Sequence, residues 1–394
     1  MAEDLQQVYQ AAIASHEQGR VDQAVVLYEQ ILAVHPDADL VLYNHGLALF
    51  ALGRFAEAVE SFLKAGDARP EDADVWFNLA MALKHDKRYG EAVCAYEQAL
   101  ALQPEQPDII YNLANCHREA GEFEQAGHWY DTLLGLDPNH LSALNNFGYL
   151  CHRQGNYNRA ESLYRKLLRL APKHAGAKHM LAALTGAATD TPEQVYVRDL
   201  FDQYSATFEQ ELVERLDYRV PQLLYDLCLE GTGAAHFTNC LDLGCGTGLA
   251  GALFRQCCDR LAGVDLSAGM VEVARGKGLY DFLAVDDVIC FLKQATSSYD
   301  LFVAADVLTY MGDLSPLFSV LAGSGTPECR FIFSTEHGDG NAWVVRPTGR
   351  FAHDPGYVAD LVIQLGGRLI STKPARLRKE AGQWIAGDLY LVAC

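Results

Sequence analysis

Residues 237–248 read Phe-Thr-Asn-Cys-Leu-Asp-Leu-Gly-Cys-Gly-Thr-Gly, which sets an acid and three glycines at the end of a short apolar strand. Gly244, Gly246 and Gly248 let the backbone approach a ligand closely and adopt positive φ. Asp242, just before them, offers a carboxylate to a ligand cation. A helix is expected from Leu249, so the loop opens on a helix N-terminus. Two further acids close apolar strands. Asp265 follows Leu261–Val264 and is placed for a ribose diol. Asp286, with Asp287 beside it, follows Phe282–Val285, where a carboxylate can accept from the exocyclic amine of adenine. The dinucleotide spacing G-x-G-x-x-G is not met, because the third glycine comes one residue early and a carboxylate precedes the loop.

This acid–glycine loop followed by two strand-end acids resembles class I S-adenosylmethionine-dependent methyltransferases over roughly residues 195–394. The resemblance implies an α/β, Rossmann-like, seven-stranded domain with strand order 3-2-1-4-5-7-6, closed by an antiparallel hairpin at Gly367–Thr372 and Gln383–Ala393. It implies S-adenosylmethionine as cofactor and S-adenosylhomocysteine as product. Asp242, Gly244, Cys245, Gly246 and Gly248 would hold the methionine part, Asp265 with Leu266 the ribose, and Asp286 with Asp287 the adenine. The fourth strand, Tyr299–Ala305, ends in Asp306, so the methyl group is expected near Ala304–Asp306. No Asn-Pro-Pro-Tyr-type motif follows that strand, which argues against amino methylation of nucleic acid. Ahead of the sheet, a helical region (192–230) sets Leu200, Phe201, Tyr204 and Phe208 on one face. The resemblance makes Tyr204 a cofactor or substrate contact, although a packed apolar stripe gives the same pattern.

An acceptor that holds its proton needs a base. His353, His337 and Asp306 are the candidates, the two histidines because imidazole titrates near neutral pH. Arg350 can present a bidentate fork to a carboxylate or phosphate of the substrate, and Tyr310 is placed to join it. Lys373, Arg376, Arg378 and Lys379 form the one basic cluster, read as a solvated strand edge. No ligand cluster suggests a metal.

The first half of the chain repeats every 34 residues. Ala12, Gly46, Ala80, Ala114, Gly148 and Ala182 keep that spacing, as do Ala24, Ala58, Ala92, Ala126 and Ala160, and Pro36, Pro70, Pro104, Pro138 and Pro172. Tyr28, Phe62, Tyr96, Tyr130 and Tyr164 hold another fixed position. The pattern resembles the tetratricopeptide (TPR) repeat. Each unit is two amphipathic helices joined at Gly19, Gly53, Lys87, Gly121 or Gly155. The small residues let the helices approach and the aromatics fill the space beside them. One unit cannot bury its own apolar face, so neighbours stack as an all-α superhelix. Residues 175–185 start a sixth unit and are expected to cap the array. Asn44, Asn78, Asn112 and Asn146 recur on the first helix, which lines the concave face. Their amides can bind the backbone of a protein or peptide partner, or serve packing.

The chain has 394 residues, half of them apolar, and a formal charge of −20 spread over both halves. Neither half offers the basic surface that nucleic acid requires. Eleven cysteines without a C-x-x-C pair suit a reducing compartment. No leader and no apolar run of about 18 residues is visible. A cytoplasmic, multidomain protein is expected, without membrane or nucleic-acid partners and with homodimer formation open. Its expected parts are the array at 5–184, a linker at 185–194 and a catalytic domain at 195–394. The expected function is methyl transfer to an oxygen or nitrogen acceptor that the repeats recruit. The alternatives are a scaffold with an idle cofactor domain, or a small-molecule enzyme dimerised by its repeats.

Overall fold

The computed structural model describes residues 2–187, 194, 197–198, 201–202, 209, 216–233, 236–295, 298–340, 342–380 and 382–393. Two compact units divide at Ala171/Pro172.

The first unit contains ten helices among the described residues: α1 (Ala2–Glu17), α2 (Val21–Leu32), α3 (Asp39–Ala51), α4 (Phe55–Ala68), α5 (Ala73–His85), α6 (Tyr89–Leu102), α7 (Pro107–Glu119), α8 (Phe123–Leu136), α9 (Leu141–Arg153) and α10 (Tyr157–Leu170). They pair in the 34-residue rhythm. The small-residue positions work as the spacing predicts. A Cβ on Gly46 would stand 2.7 Å from the Phe62 ring, which is fully buried. The first helix of each pair ends in a left-handed residue. Four times that residue is glycine, and in the third pair it is Lys87 at φ 62°, where a side chain costs roughly 1–2 kcal/mol.

The asparagine positions turn out to be ties between neighbouring repeats. Asn44 Nδ2 donates to Tyr9 Oη at 2.9 Å, Asn78 to Tyr43 Oη at 3.0 Å, and Asn146 to Tyr111 Oη at 3.1 Å. For Asn112 the position equivalent to those tyrosines is Phe77, which has no hydroxyl, and Nδ2 donates to the Asp108 carbonyl at 2.9 Å.

The second unit opens with α11 (Ala175–Thr185), the helix expected to cap the array. Its buried His179 Nε2 lies 2.6 Å from the Gly349 carbonyl oxygen. After α12 (Val220–Thr232) a twisted sheet begins, with strands β1 (Phe237–Leu243), β2 (Cys258–Asp265), β3 (Phe282–Val285), β4 (Tyr299–Ala304), β5 (Gly325–His337), β6 (Trp343–Val345), β7 (Phe351–His353), β8 (Arg368–Glu380) and β9 (Gln383–Ala393). The order runs β3-β2-β1-β4-β5, all parallel, and β9 then β8 continue it antiparallel. With the last two strands counted as six and seven, this is the expected 3-2-1-4-5-7-6 order. The short β6–β7 hairpin was not foreseen; β7 pairs with the end of β5 at Glu336 and His337.

Helices α13 (Leu249–Phe254), α14 (Ala268–Gly276), α15 (Val288–Gln294), α16 (Ser315–Ser324) and α17 (Pro355–Gln364) complete the unit. Alternate strand residues feed two cores. Phe302, Ala304, Phe331 and Phe333 pack on one face, and Leu301, Val303 and Ile332 on the other. A sheet buried on both faces explains the continuous apolar runs in its central strands.

Candidate functional site

The strand order reverses between β1 and β4, and a crevice opens beyond their carboxyl ends, where ligands bind in open α/β sheets. A cavity of about 240 Å³ lies there. Gly244, Cys245 and Gly246 form one wall. Gly244 has φ 65°, and a Cβ on it would stand 2.5 Å from Val307 Cγ2. Its N–H and that of Cys245 donate to the Val264 carbonyl, at 2.8 and 3.0 Å, which fixes the loop to β2.

Asp265, at the end of β2, also lines the cavity. Its Oδ2 accepts from Gly246 N at 2.8 Å and its Oδ1 from Ser267 N at 2.9 Å. Burial pushes its carboxyl pKa up, against the pull of these backbone N–H groups. Leu266, Met270, Val288 and Ile289 give the neighbouring wall an apolar surface, with Asp287 at its edge. Asp287 Oδ1 accepts from Cys290 N at 2.9 Å and so caps α15. Past the end of β4, Ala305, Asp306, Val307, Tyr310, Met311 and Asp313 line the cavity with Arg350, which lies beside β7.

Several expected residues lie elsewhere. Asp242 is 2 % exposed, does not line the cavity, and its Oδ2 accepts from Tyr280 Oη at 2.7 Å. Burial pushes its pKa up to about 7, with the Tyr280 hydroxyl working against that rise. Gly248 stands behind the loop as the N-cap of α13, and Ala304 is buried in the sheet, with Ala305 at the cavity instead. Asp286 accepts from Asp287 N at 2.8 Å and leaves the wall to Asp287. Tyr204 lies outside the described residues, whereas Phe201 from the same stretch lines the cavity and meets the Tyr310 ring at 5.1 Å. Asn44, Asn78, Asn112 and Asn146 belong to the first unit.

The histidines are placed for structure. His353 is fully buried, and its Nε2–H donates to the Gly312 carbonyl at 3.0 Å, under the loop that carries Met311 and Asp313. Burial lowers its pKa to about 4. His337 is held by Asp388, Nδ1 to Oδ2 at 2.6 Å, which raises its pKa. Neither lines the cavity. Of the three candidate bases, Asp306 alone does.

The basic cluster read as a solvated edge contains the group that holds Asp306. Arg378 is fully buried. Its Nη1 donates to Asp306 Oδ2 at 2.7 Å, its Nη2 to Glu336, and its Nε to Glu380 Oε1 at 2.9 Å. Glu380 also pairs with Arg350, whose Nε donates to Tyr310 Oη at 3.2 Å. No sequence signal marked this network, since its cation lies in a run as polar as an exposed edge.

Comparison with known proteins agrees with this division. A profile described as "Tetratricopeptide repeat" matches residues 9–71 and 43–108, and one described as "Anaphase-promoting complex, cyclosome, subunit 3" matches 85–167. A profile described as "Methyltransferase domain" matches 240–323. "Methyltransferase-like protein 27" of Homo sapiens is 33% identical over 121 residues, which are 30% of this chain and 47% of that protein, so the match spans about half of the relative. Among solved structures, a MamA protein covers 44% of this chain and is itself covered to 96%, at 22% identity and TM-score 0.42. Magnesium protoporphyrin IX methyltransferase from Synechocystis PCC 6803, with bound SAH, covers 51% of this chain and is itself covered to 98%, at 18% identity and TM-score 0.40.

Proposed function

For a chain that carries tetratricopeptide repeats in its N-terminal part and a methyltransferase domain in its C-terminal part, we propose S-adenosylmethionine-dependent methyl transfer to an oxygen or nitrogen acceptor. The observation that carries this reading is the convergence of the 244–246 loop, the Asp265 carboxylate and Asp306 on one cavity at the switch between β1 and β4.

The residues present fit that cofactor. Asp265 offers carboxylate lone pairs to vicinal hydroxyls beyond those that Gly246 N takes on Oδ2 and Ser267 N on Oδ1. Leu266, Met270, Val288 and Ile289 provide a dry surface for a flat ring, with Asp287 as acceptor at its rim. The glycine loop lets backbone come close to the remaining chain of the ligand. Asp242 then serves beneath the loop, through Tyr280. When bound, the cofactor supplies an electrophilic methyl group on a sulfonium.

The protein's part is alignment and proton handling. Holding two reacting atoms in line supplies several kcal/mol, ~7–11 at best. Asp306 accepts the proton that the acceptor loses as the new bond to methyl forms. Arg350 and Tyr310 orient the acceptor's polar groups. The repeats suit recruitment of a protein or peptide partner, though three of the four asparagine amides are already engaged with tyrosine hydroxyls.

Methyl-tritiated cofactor incubated with the protein and a cell lysate tests the proposal. Label in a protein fraction supports recruitment by the repeats, and label in the small-molecule fraction supports a metabolite acceptor. Label in neither favours the scaffold reading.

A further inference from the structure

We infer that Arg378 is a positioning residue of the transfer site: it holds Asp306 by Oδ2 and leaves Oδ1 unpaired for the methyl acceptor, which must therefore present an N–H or O–H. This rests on the cofactor reading above and names the chemical class of the acceptor.

Asp306 adopts a left-handed backbone conformation, φ 63°, which a residue with a side chain keeps only when its surroundings over-determine it. Three contacts do so. Its N–H donates to Ser334 Oγ at 3.0 Å, its carbonyl accepts from Thr309 Oγ1 at 3.0 Å, and its Oδ2 accepts from Arg378. Oδ1 is buried and has no hydrogen-bond partner among the described residues. Asp306 lines the cavity, an unpaired buried carboxylate oxygen is costly until a donor reaches it, and the donor that fits is an amine or hydroxyl on the incoming acceptor. A carboxylate acceptor would bring two negative oxygens against it.

Arg378 is held by three carboxylates at once. Glu336 and Glu380 hold two of its nitrogens while the third reaches Asp306. The planar fork fixes the direction of each N–H, which a lysine ammonium cannot reproduce.

Calorimetric titration separates positioning from charge. S-Adenosylhomocysteine lacks a group at the methyl position. Sinefungin carries a primary ammonium there, which donates toward Asp306. The wild type is expected to prefer sinefungin at least tenfold. Asp306→Asn loses most of that preference. Arg378→Lys keeps the positive charge, binds S-adenosylhomocysteine within about twofold of wild type, and still loses at least fivefold of the preference. The double variant loses no more than Asp306→Asn alone. Glu336→Gln, a gentler loosening of the same fork, loses about threefold and covers the case in which Arg378→Lys fails to fold. A lysine or glutamine variant with wild-type preference, or losses that add in the double variant, overturns the inference alone. A wild type that binds neither compound overturns the cofactor reading, and this inference with it.

Discussion

His353 is the residue whose burial leaves a readable mark on stability. An unfolded imidazole titrates near 6.5, whereas in the fold its pKa is about 4. Below pH 6.5 the unfolded chain therefore takes up a proton that the folded chain refuses, and stability falls until about pH 4. A gap of that size amounts to roughly 3 kcal/mol at the acid end of the window. Urea unfolding at stepped pH should show this loss in the wild type. In His353→Gln the difference between pH 6.5 and pH 4 should be smaller by about that amount; an unchanged acid limb would refute the buried-neutral assignment. Gly244 makes the second residue-scale prediction. Alanine there combines a positive φ with a clash on Val307, so Gly244→Ala should lower stability by about 2–3 kcal/mol, and an unshifted urea midpoint would contradict it. The place of Asp265 at the cavity was legible as an acid closing an apolar strand, yet Asp242 and Asp286 close strands too and turn to partners away from it. Arg378 was not, because Arg-Leu-Arg-Lys-Glu is as polar as any exposed edge. At a register shift of β8 against β9, both Leu377 and Arg378 become fully buried, and no alternation pattern announces that.

Elements repeat the lesson in both units. The helix pairs, their small-residue contacts and their left-handed turns follow from a 34-residue period, whereas the tyrosine-to-asparagine tie across neighbouring repeats came only with the structure. The missing rung is at Phe77, whose ring meets Tyr96 at 5.9 Å and 65°, as the Tyr43 ring meets Phe62 at 5.9 Å and 61°. Phe77→Tyr supplies the absent hydroxyl to Asn112. It should stabilise the repeat unit by about 0.5–1 kcal/mol, read as a higher melting temperature by circular dichroism at 222 nm. A lower melting temperature would mean that the third interface is built differently from its neighbours. In the sheet, central strands were legible because two buried faces demand unbroken apolar runs. The hairpin of β6 and β7 was not, since three-residue strands leave no periodic trace. Yet that hairpin brings Arg350 to the cavity and sets His353 beneath its loop.

At the scale of the whole chain, a repeat array and the cavity beyond β1 and β4 belong to separate compact units. A ligand of the cavity should therefore stabilise the second unit by about 2.7 kcal/mol at a hundredfold excess over its Kd. Scanning calorimetry of the full chain should show one transition moving to higher temperature while the transition of the repeats stays in place. A shift of both transitions would mean that binding is coupled to the repeats as well. The measurement that bears most directly on the account is calorimetric binding of S-adenosylhomocysteine to the wild type and to Asp265→Ala. The wild type should bind at one site per chain. The variant should bind at least thirtyfold more weakly, because the proposed ribose acceptor is gone and the N–H groups of Gly246 and Ser267 lose their partner. No binding to the wild type, or equal affinity in the variant, would contradict it.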